Sequence, residues 1–315
     1  MNEQQFETEL IQYLSGGTVS SSPDFEWGSV KEKPADYVVK TKLWKYEPSI
    51  KTTEQLWENF KRILEQHNQN TLDHPLSVVE FNQVIKIISD IQTPYQAGQF
   101  LYGLNGVSQI EINLDDGRHV FLTVFDQKQI GAGDTVYQVV NQIDRPAKIT
   151  GKQDRRFDTT LLINGLPIIQ IEEKRDTHDV AEALNQMKQY IDESQYRDIF
   201  STLQILVAIT PNNVKYMANT TAESFNVDFA FSWQRKSDNG IVRNWKEFAD
   251  SMLSIPMAHQ MATSYMILDG TKNRQSLKVM RPYQVYATQK AIDGIKKADF
   301  EFGENKIGYI WHTTG

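Results

Sequence analysis

Cysteine is absent from the chain, which excludes a disulfide scaffold, thiolate zinc sites and cysteine nucleophiles. No apolar run reaches the roughly 20 residues that a membrane-spanning helix needs. The start, Met1-Asn2-Glu3-Gln4-Gln5, lacks the basic flank and apolar stretch of a secretory signal. A basic surplus is missing as well: 40 acidic against 33 basic residues leave a net charge of −7. A histone-like binder or a membrane-surface protein would be far more basic, so any nucleic-acid contact must use a local patch. The six histidines are scattered, with no HExxH or paired-ligand spacing. These absences predict a cytoplasmic protein of a reducing compartment, without membrane contact.

What is present is ordinary for a folded protein. Hydrophobic residues at 40% and charged residues at 23% argue against disorder. With 315 residues the chain can bury a sizeable core, in about two domains or one large one.

The N-terminal third reads as helical. Ser77-Val78-Val79-Glu80 has capping-box spacing, followed by Phe81, Val84, Ile85, Ile88 and Ile91 at helical intervals. Thr52-Thr53-Glu54-Gln55 opens an earlier helix carrying Leu56, Phe60, Ile63 and Leu64. Between the first helix and that one, Gly16 to Ser49 predicts a long ordered loop with short strands.

From about Val107 the pattern turns to strands. Ile110, Ile112 and Leu114 alternate, Asp115-Asp116-Gly117 turns, and Val120-Phe121-Leu122 returns. Thr159 to Ile163, Asn164-Gly165 and Leu166 to Ile171 form a second, stronger hairpin signal. A helix follows at about Val180 to Glu193. Leu203 to Ile209 then reads as a strand buried on both sides. A further helix begins at Met280-Arg281-Pro282-Tyr283-Gln284 and a strand is expected at Ile307 to Trp311. The sequence stops directly afterwards at Thr313-Thr314-Gly315, which reads as a cut within a longer protein.

Asp158, Glu172 and Lys174 form the constellation with chemistry in it. Strand period puts Glu172 and Lys174 on one face and Glu173 on the other. A two-residue Asn-Gly turn pairs Ile163 with Leu166, which sets Asp158 opposite Ile171 and turns the two acids to opposite faces. If Asp158 and Glu172 work together, the hairpin must contain a three-residue loop or one β-bulge. Two facing carboxylates repel unless a divalent cation lies between them, and oxygen ligands without nearby His or Cys suit Mg²⁺, with Mn²⁺ as substitute. Lys174 would orient a water and neutralise developing charge. The same residues also read as a charged strand exit into solvent.

Gln186 and Tyr190 lie four apart on one helix face and can hold a nucleic-acid backbone or a nucleotide, or form a plain polar edge. Lys152-Gln153-Asp154-Arg155-Arg156 supplies positive charge just before Asp158, and surface solvation explains that cluster too. His178 reads as capping or preceding a helix. Gly131-Ala132-Gly133-Asp134 is too short for a dinucleotide fingerprint. Trp233-Gln234-Arg235-Lys236 reads as a strand exit.

Taken together, Arg155-Arg156-Phe157-Asp158, Ile163-Asn164-Gly165-Leu166-Pro167, Gln170-Ile171-Glu172-Glu173-Lys174 and Asn185-Gln186-Met187-Lys188-Gln189-Tyr190 resemble the restriction subunit of Type I restriction-modification enzymes. The resemblance includes Val139-Val140-Asn141-Gln142 and runs through Arg281-Pro282-Tyr283-Gln284 to His312-Thr313-Thr314-Gly315. Phe157 departs from it where many relatives have Pro, and Glu173 where many have an apolar residue. The second departure leaves two adjacent acids, and alternation with Lys174 favours Glu172.

The resemblance implies an α/β fold with a restriction-endonuclease-like core, a mixed β-sheet flanked by helices. A helical N-terminal addition and the start of a RecA-like motor domain would accompany it. Residues 1–260 would be the endonuclease domain, with its helical part over about 1–105 and its catalytic core over about 106–235. Residues 261–315 would be a linker and the beginning of the motor. It further implies catalytic Asp158, Glu172 and Lys174, the first two as metal ligands. Gln186 and Tyr190 would support the site or the DNA beside Arg155 and Arg156. Arg281 to Gln284 resembles a Q-motif that reads the adenine of ATP. The Ser-Gly-Lys-Thr/Ser segment expected after Gly315 is absent, so ATP would serve the full-length protein and not this piece. The implied activity is Mg²⁺-dependent cleavage of duplex DNA after ATP-driven translocation, with methylation and specificity subunits as partners. A catalytically silent DNA-docking module and a repair nuclease are the alternatives.

Overall fold

A computed structural model describes residues 2–16, 43–271 and 274–298. Helix α1 (Glu3–Leu14) begins the chain, capped by Asn2 and Gln5, each accepting from the other's backbone amide. Strand β1 (Lys45–Tyr46) precedes helices α2 (Thr53–His67), α3 (Val78–Ser89) and α4 (Pro94–Tyr102). Ser77 with Glu80 forms the capping box its spacing predicts, and Thr52 with Gln55 forms another at the expected start of α2. The hairpin β2 (Val107–Asn113) and β3 (His119–Asp126) follows.

Next come β4 (Tyr137–Arg145), β5 (Arg155–Ile163), β6 (Leu166–Glu173), α5 (Val180–Asp192), β7 (Ile205–Thr210) and β8 (Asn213–Ala218). The described chain closes with α6 (Trp245–Ser251), α7 (Met257–Ala262), the hairpin β9 (Met266–Asp269) and β10 (Ser276–Val279), and α8 (Pro282–Lys297).

One six-stranded mixed sheet organises the fold, in the order β1-β4-β5-β6-β7-β8. Strands β4 to β6 run antiparallel, β6 and β7 are parallel, and α5 makes the crossover between them. Every residue of β6 and β7 is buried, as expected of central strands covered on both faces. Asn164 and Gly165 have φ values of 52° and 81°, the left-handed pair that a tight two-residue hairpin turn requires. A Cβ on Gly165 would lie 2.9 Å from the Cα of Phe60, so close packing of α2 also demands glycine there.

Of the expected loop over Gly16 to Ser49, only its ends are described. They include the short strand β1, which runs parallel to β4. The strand expected at Ile307 to Trp311 and the segment His312 to Gly315 lie outside the described residues, and the start of a motor domain is not shown. The expected boundary between 260 and 261 falls inside α7. The expected strand exit at Trp233 to Lys236 is instead irregular chain. Trp233 is buried there, and Arg235 is paired with Asp238 and Glu247.

Candidate active site

The register of the β5–β6 hairpin decides whether the acids meet. Ile163 pairs with Leu166 and Leu162 with Pro167, but Leu161 pairs with Ile169, leaving Ile168 as an extra residue. This bulge is the irregularity that cooperation between the acids requires. Beyond it Thr160 pairs with Gln170 and Thr159 with Ile171, and one further step sets Asp158 against Glu172. Their carboxyl groups are in mutual contact. Ionised carboxylates only accept hydrogen bonds, so that contact needs a shared proton or a cation.

Burial fixes the electrostatics. Desolvation lifts Asp158 to a pKa of about 6, against partial relief from Lys174. Desolvation and the neighbouring Asp158 push Glu172 well above the usual carboxylate range. Glu173 is raised for the same two causes, with Glu7 adding to them. Burial works against the charge of Lys174, but Glu172, Asp158 and Glu3 outweigh it and hold its pKa above the ordinary lysine value.

Lys174 Nζ donates to Glu173 O at 2.9 Å, to Glu3 Oε1 at 3.2 Å and to Glu172 Oε1 at 3.3 Å. Glu173 N donates to Asp158 Oδ2 at 3.1 Å, which ties the first acid to the backbone between the other two residues. From α5, Tyr190 Oη donates to Glu172 Oε1 at 3.4 Å, and Gln186 Nε2 donates to Tyr190 Oη at 2.5 Å. Phe157 supports that tyrosine with ring centroids 4.9 Å apart. Arg145, fully buried, stacks over Phe157 and Phe200 at 5.7 and 4.6 Å.

The hairpin and α5 therefore bring five of the expected residues together: Asp158, Glu172, Lys174, Gln186 and Tyr190. Arg155 is engaged elsewhere, in a bidentate pair with Glu193 at 2.6 Å for both bonds. Arg156 is exposed two residues before Asp158, and so on its side of the strand. Arg281 and Gln284 lie apart from this cluster, at the start of α8. There Gln284 Oε1 accepts from Arg281 N, and the Arg281 guanidinium stacks over Phe231 at 4.5 Å.

Two acids escaped the sequence reading. Glu7 of α1 is buried and accepts from Asn141 Nδ2 at 2.6 Å and Gln142 Nε2 at 2.8 Å. Gln142, at φ 55°, sits where β4 passes Asp158, between the pairs Asn141–Thr159 and Ile143–Phe157. Glu3 reaches Lys174 from one turn earlier. The only local signal was their spacing of four on a helix, because every partner is more than 130 residues away in sequence.

The donor set fits a hard divalent ion. Glu172 Oε2 and both oxygens of Glu173 are buried without a geometrically sound hydrogen bond among the described residues, which leaves acceptor oxygens unanswered beside Asp158. Two carboxylates, completed by waters and a phosphate, are how Mg²⁺ is commonly held. No group of three or more His, Cys, Asp or Glu side chains among the described residues is arranged to hold a metal ion.

A mixed sheet carrying an Asp, Glu-x-Lys cluster at its central hairpin, beneath a helix bearing Gln-x-x-x-Tyr, is consistent with a nuclease-like fold. The chain belongs to the family described as Type I restriction enzyme R protein N terminus, whose model matches residues 26–225. The endonuclease subunit of the Type I restriction enzyme SauMSSORF170P, from Staphylococcus aureus strain MSSA476, is 31% identical over 268 residues, 85% of this chain and 26% of the relative. The EcoprrI endonuclease subunit of Escherichia coli is 34% identical over 200 residues, 62% of this chain and 61% of the relative. The HindI endonuclease subunit of Haemophilus influenzae is 24% identical over 275 residues, covering 83% and 24%. The chain thus spans about a quarter of the length of its staphylococcal relatives. No helix among the described residues is long and apolar enough to cross a membrane.

Proposed function

We propose that this chain is the DNA-cleaving part of a Type I restriction subunit and hydrolyses duplex DNA phosphodiesters with Mg²⁺, for which Mn²⁺ substitutes. The observation that carries the reading is the bulge at Ile168, which sets Asp158 against Glu172 with Lys174 bonded to the same carboxylate. Asp158 and Glu172 would hold the ion. When bound, the ion supplies charge neutralisation at the phosphate and acidifies a coordinated water.

The residues of the chain do the rest. Arg156 draws the phosphate backbone toward the Asp158 edge. Tyr190, held by Gln186, fixes Glu172 so that its free oxygen stays turned to the acid pair. Lys174 orients the attacking water and offsets the charge that builds on the phosphate oxygens as water adds to phosphorus and the bond to the leaving oxygen breaks. ATP-driven translocation belongs to the remainder of the subunit, with the adenine-reading role of Arg281 and Gln284. Methylation and specificity subunits complete the cytoplasmic complex, and the specificity subunit reads the DNA sequence.

The test compares the full restriction subunit with its Asp158→Ala variant in the assembled complex, on plasmid carrying the target site. Cleavage should vanish while ATP hydrolysis persists. A mutant that still cuts would show the cluster to be structural. A silent DNA-docking module is the second reading, because no group of three or more His, Cys, Asp or Glu side chains among the described residues is arranged to hold a metal ion. Failure of the wild-type chain to bind Mn²⁺ would favour it.

A further inference from the structure

The ammonium of Lys174 has three donors, and three acceptors already occupy it. Two are fixed parts of β6: the carbonyl of Glu173 and the fully buried carboxylate of Glu172. The third is Glu3 Oε1 of α1, whose side chain is 46% exposed. A lysine can meet a DNA phosphate only by giving up one of these bonds, and only Glu3 can swing into water to release it.

Helix α1 is built to deliver that carboxylate. Its apolar face, Phe6, Leu10, Ile11 and Leu14, is buried, and the Phe6 ring meets Trp245 edge-on with centroids 5.6 Å apart. One turn after Glu3, the Glu7 carboxylate is clamped by both carboxamides of the Asn141-Gln142 pair, and Asn141 Oδ1 is itself held by Lys51 Nζ at 2.6 Å and Tyr46 Oη at 2.9 Å. The reciprocal cap between Asn2 and Gln5 orders the first turn. The helix is thus fixed to β4 while its first acidic residue spans the gap to β6.

We propose that Glu3 is an internal stand-in for the DNA phosphate. Its carboxylate occupies the third bonding position of Lys174 in the free protein and must be displaced before a scissile phosphate can bind. The inference rests on the nuclease reading and adds a device that restrains the site until DNA is pressed into it. The contact is half-exposed, so it is weak and screened by salt, which makes it a latch that substrate can open.

The experiment measures binding of a short fluorescent duplex to this chain in EDTA, where no cleavage occurs. Glu3→Gln should tighten binding by about two- to fivefold at low salt, the range an exposed ion pair supports, with the gain shrinking as salt rises. Glu9→Gln makes the same charge change about 9 Å further along the helix and should give a smaller gain. In a Lys174→Met background, which keeps the length of the side chain, Glu3→Gln should give no more than Glu9→Gln. The proposal is overturned if Glu3→Gln matches Glu9→Gln in the wild-type background, weakens binding, or keeps its advantage without Lys174. The nuclease reading is judged separately, by cleavage in the assembled complex: if Asp158→Ala still cuts, that reading fails while the binding comparison still decides the latch.

Discussion

Asp158 faces Glu172 because Ile168 has no partner across the hairpin. With both acids desolvated and in contact, the metal-free protein carries a cost that depends on pH. Asp158, raised from the ordinary 3.8 to about 6, binds its proton more tightly folded than unfolded. Its contribution to stability is therefore full below about pH 4 and is lost as pH rises through 6, with Glu172 and Glu173 extending the loss further upward. In EDTA, Asp158→Asn should raise the melting temperature at pH 8 by a few degrees, from about 1–3 kcal/mol of relieved cost. The gain should be about half as large at pH 5 and should vanish only below about pH 4. A lower melting temperature for Asp158→Asn at pH 8 would contradict the desolvated acid pair.

A cation binding only the folded state must stabilise it by mass action. Millimolar Mn²⁺ or Mg²⁺ at pH 8 should raise the melting temperature of the wild-type chain, and the rise should disappear in Asp158→Asn. Protonation competes with the ion for the same oxygens, so the rise should also fade toward pH 5. Equal shifts in mutant and wild type would place the ion elsewhere.

The Tyr190 hydroxyl links Gln186 to Glu172. Removing it in Tyr190→Phe keeps the ring packed on Phe157 and strands the Gln186 amide, which is partly exposed and can turn to water. Stability should change by no more than about 1 kcal/mol. Cleavage by the assembled complex should fall about 10- to 100-fold, the usual effect of losing a group that orients a metal ligand. ATP hydrolysis serves as the internal control. Undiminished cleavage would leave Tyr190 a packing residue.

Local chemistry was legible in the sequence and distant pairing was not. The Asn164-Gly165 turn, the helix start at Thr52, the capping box at Ser77 and the Gln186–Tyr190 spacing depend on neighbours within a few residues, and the structure has each of them. The bulge was legible only as a condition, since residue identity alone does not say where Ile168 leaves the ladder. Glu3 and Glu7 were invisible because α1 finds its partners in β4 and β6, more than 130 residues later. Arg155 and Arg156 looked alike as neighbouring cations. Which of them meets a buried acid is settled by the packing of the α5 C-terminus, a tertiary fact.

That last pair makes the clearest separation of roles. Arg155 is partly buried and donates two bonds to Glu193, whose carboxylate is otherwise closed off from solvent and, among the described residues, reached besides by Gln189 at 3.2 Å. Arg155→Ala leaves that carboxylate short of its main partner, and unfolding in urea should show a loss of about 2 kcal/mol. Arg156 is exposed on the strand that carries Asp158, so Arg156→Ala should leave stability within about 0.5 kcal/mol. It should weaken duplex binding and reduce the steepness of its salt dependence by about one phosphate contact. Duplex affinity measured against salt, beside urea melts of both variants, decides the assignment. The roles are reversed if Arg155→Ala flattens the salt dependence without loss of stability while Arg156→Ala does neither.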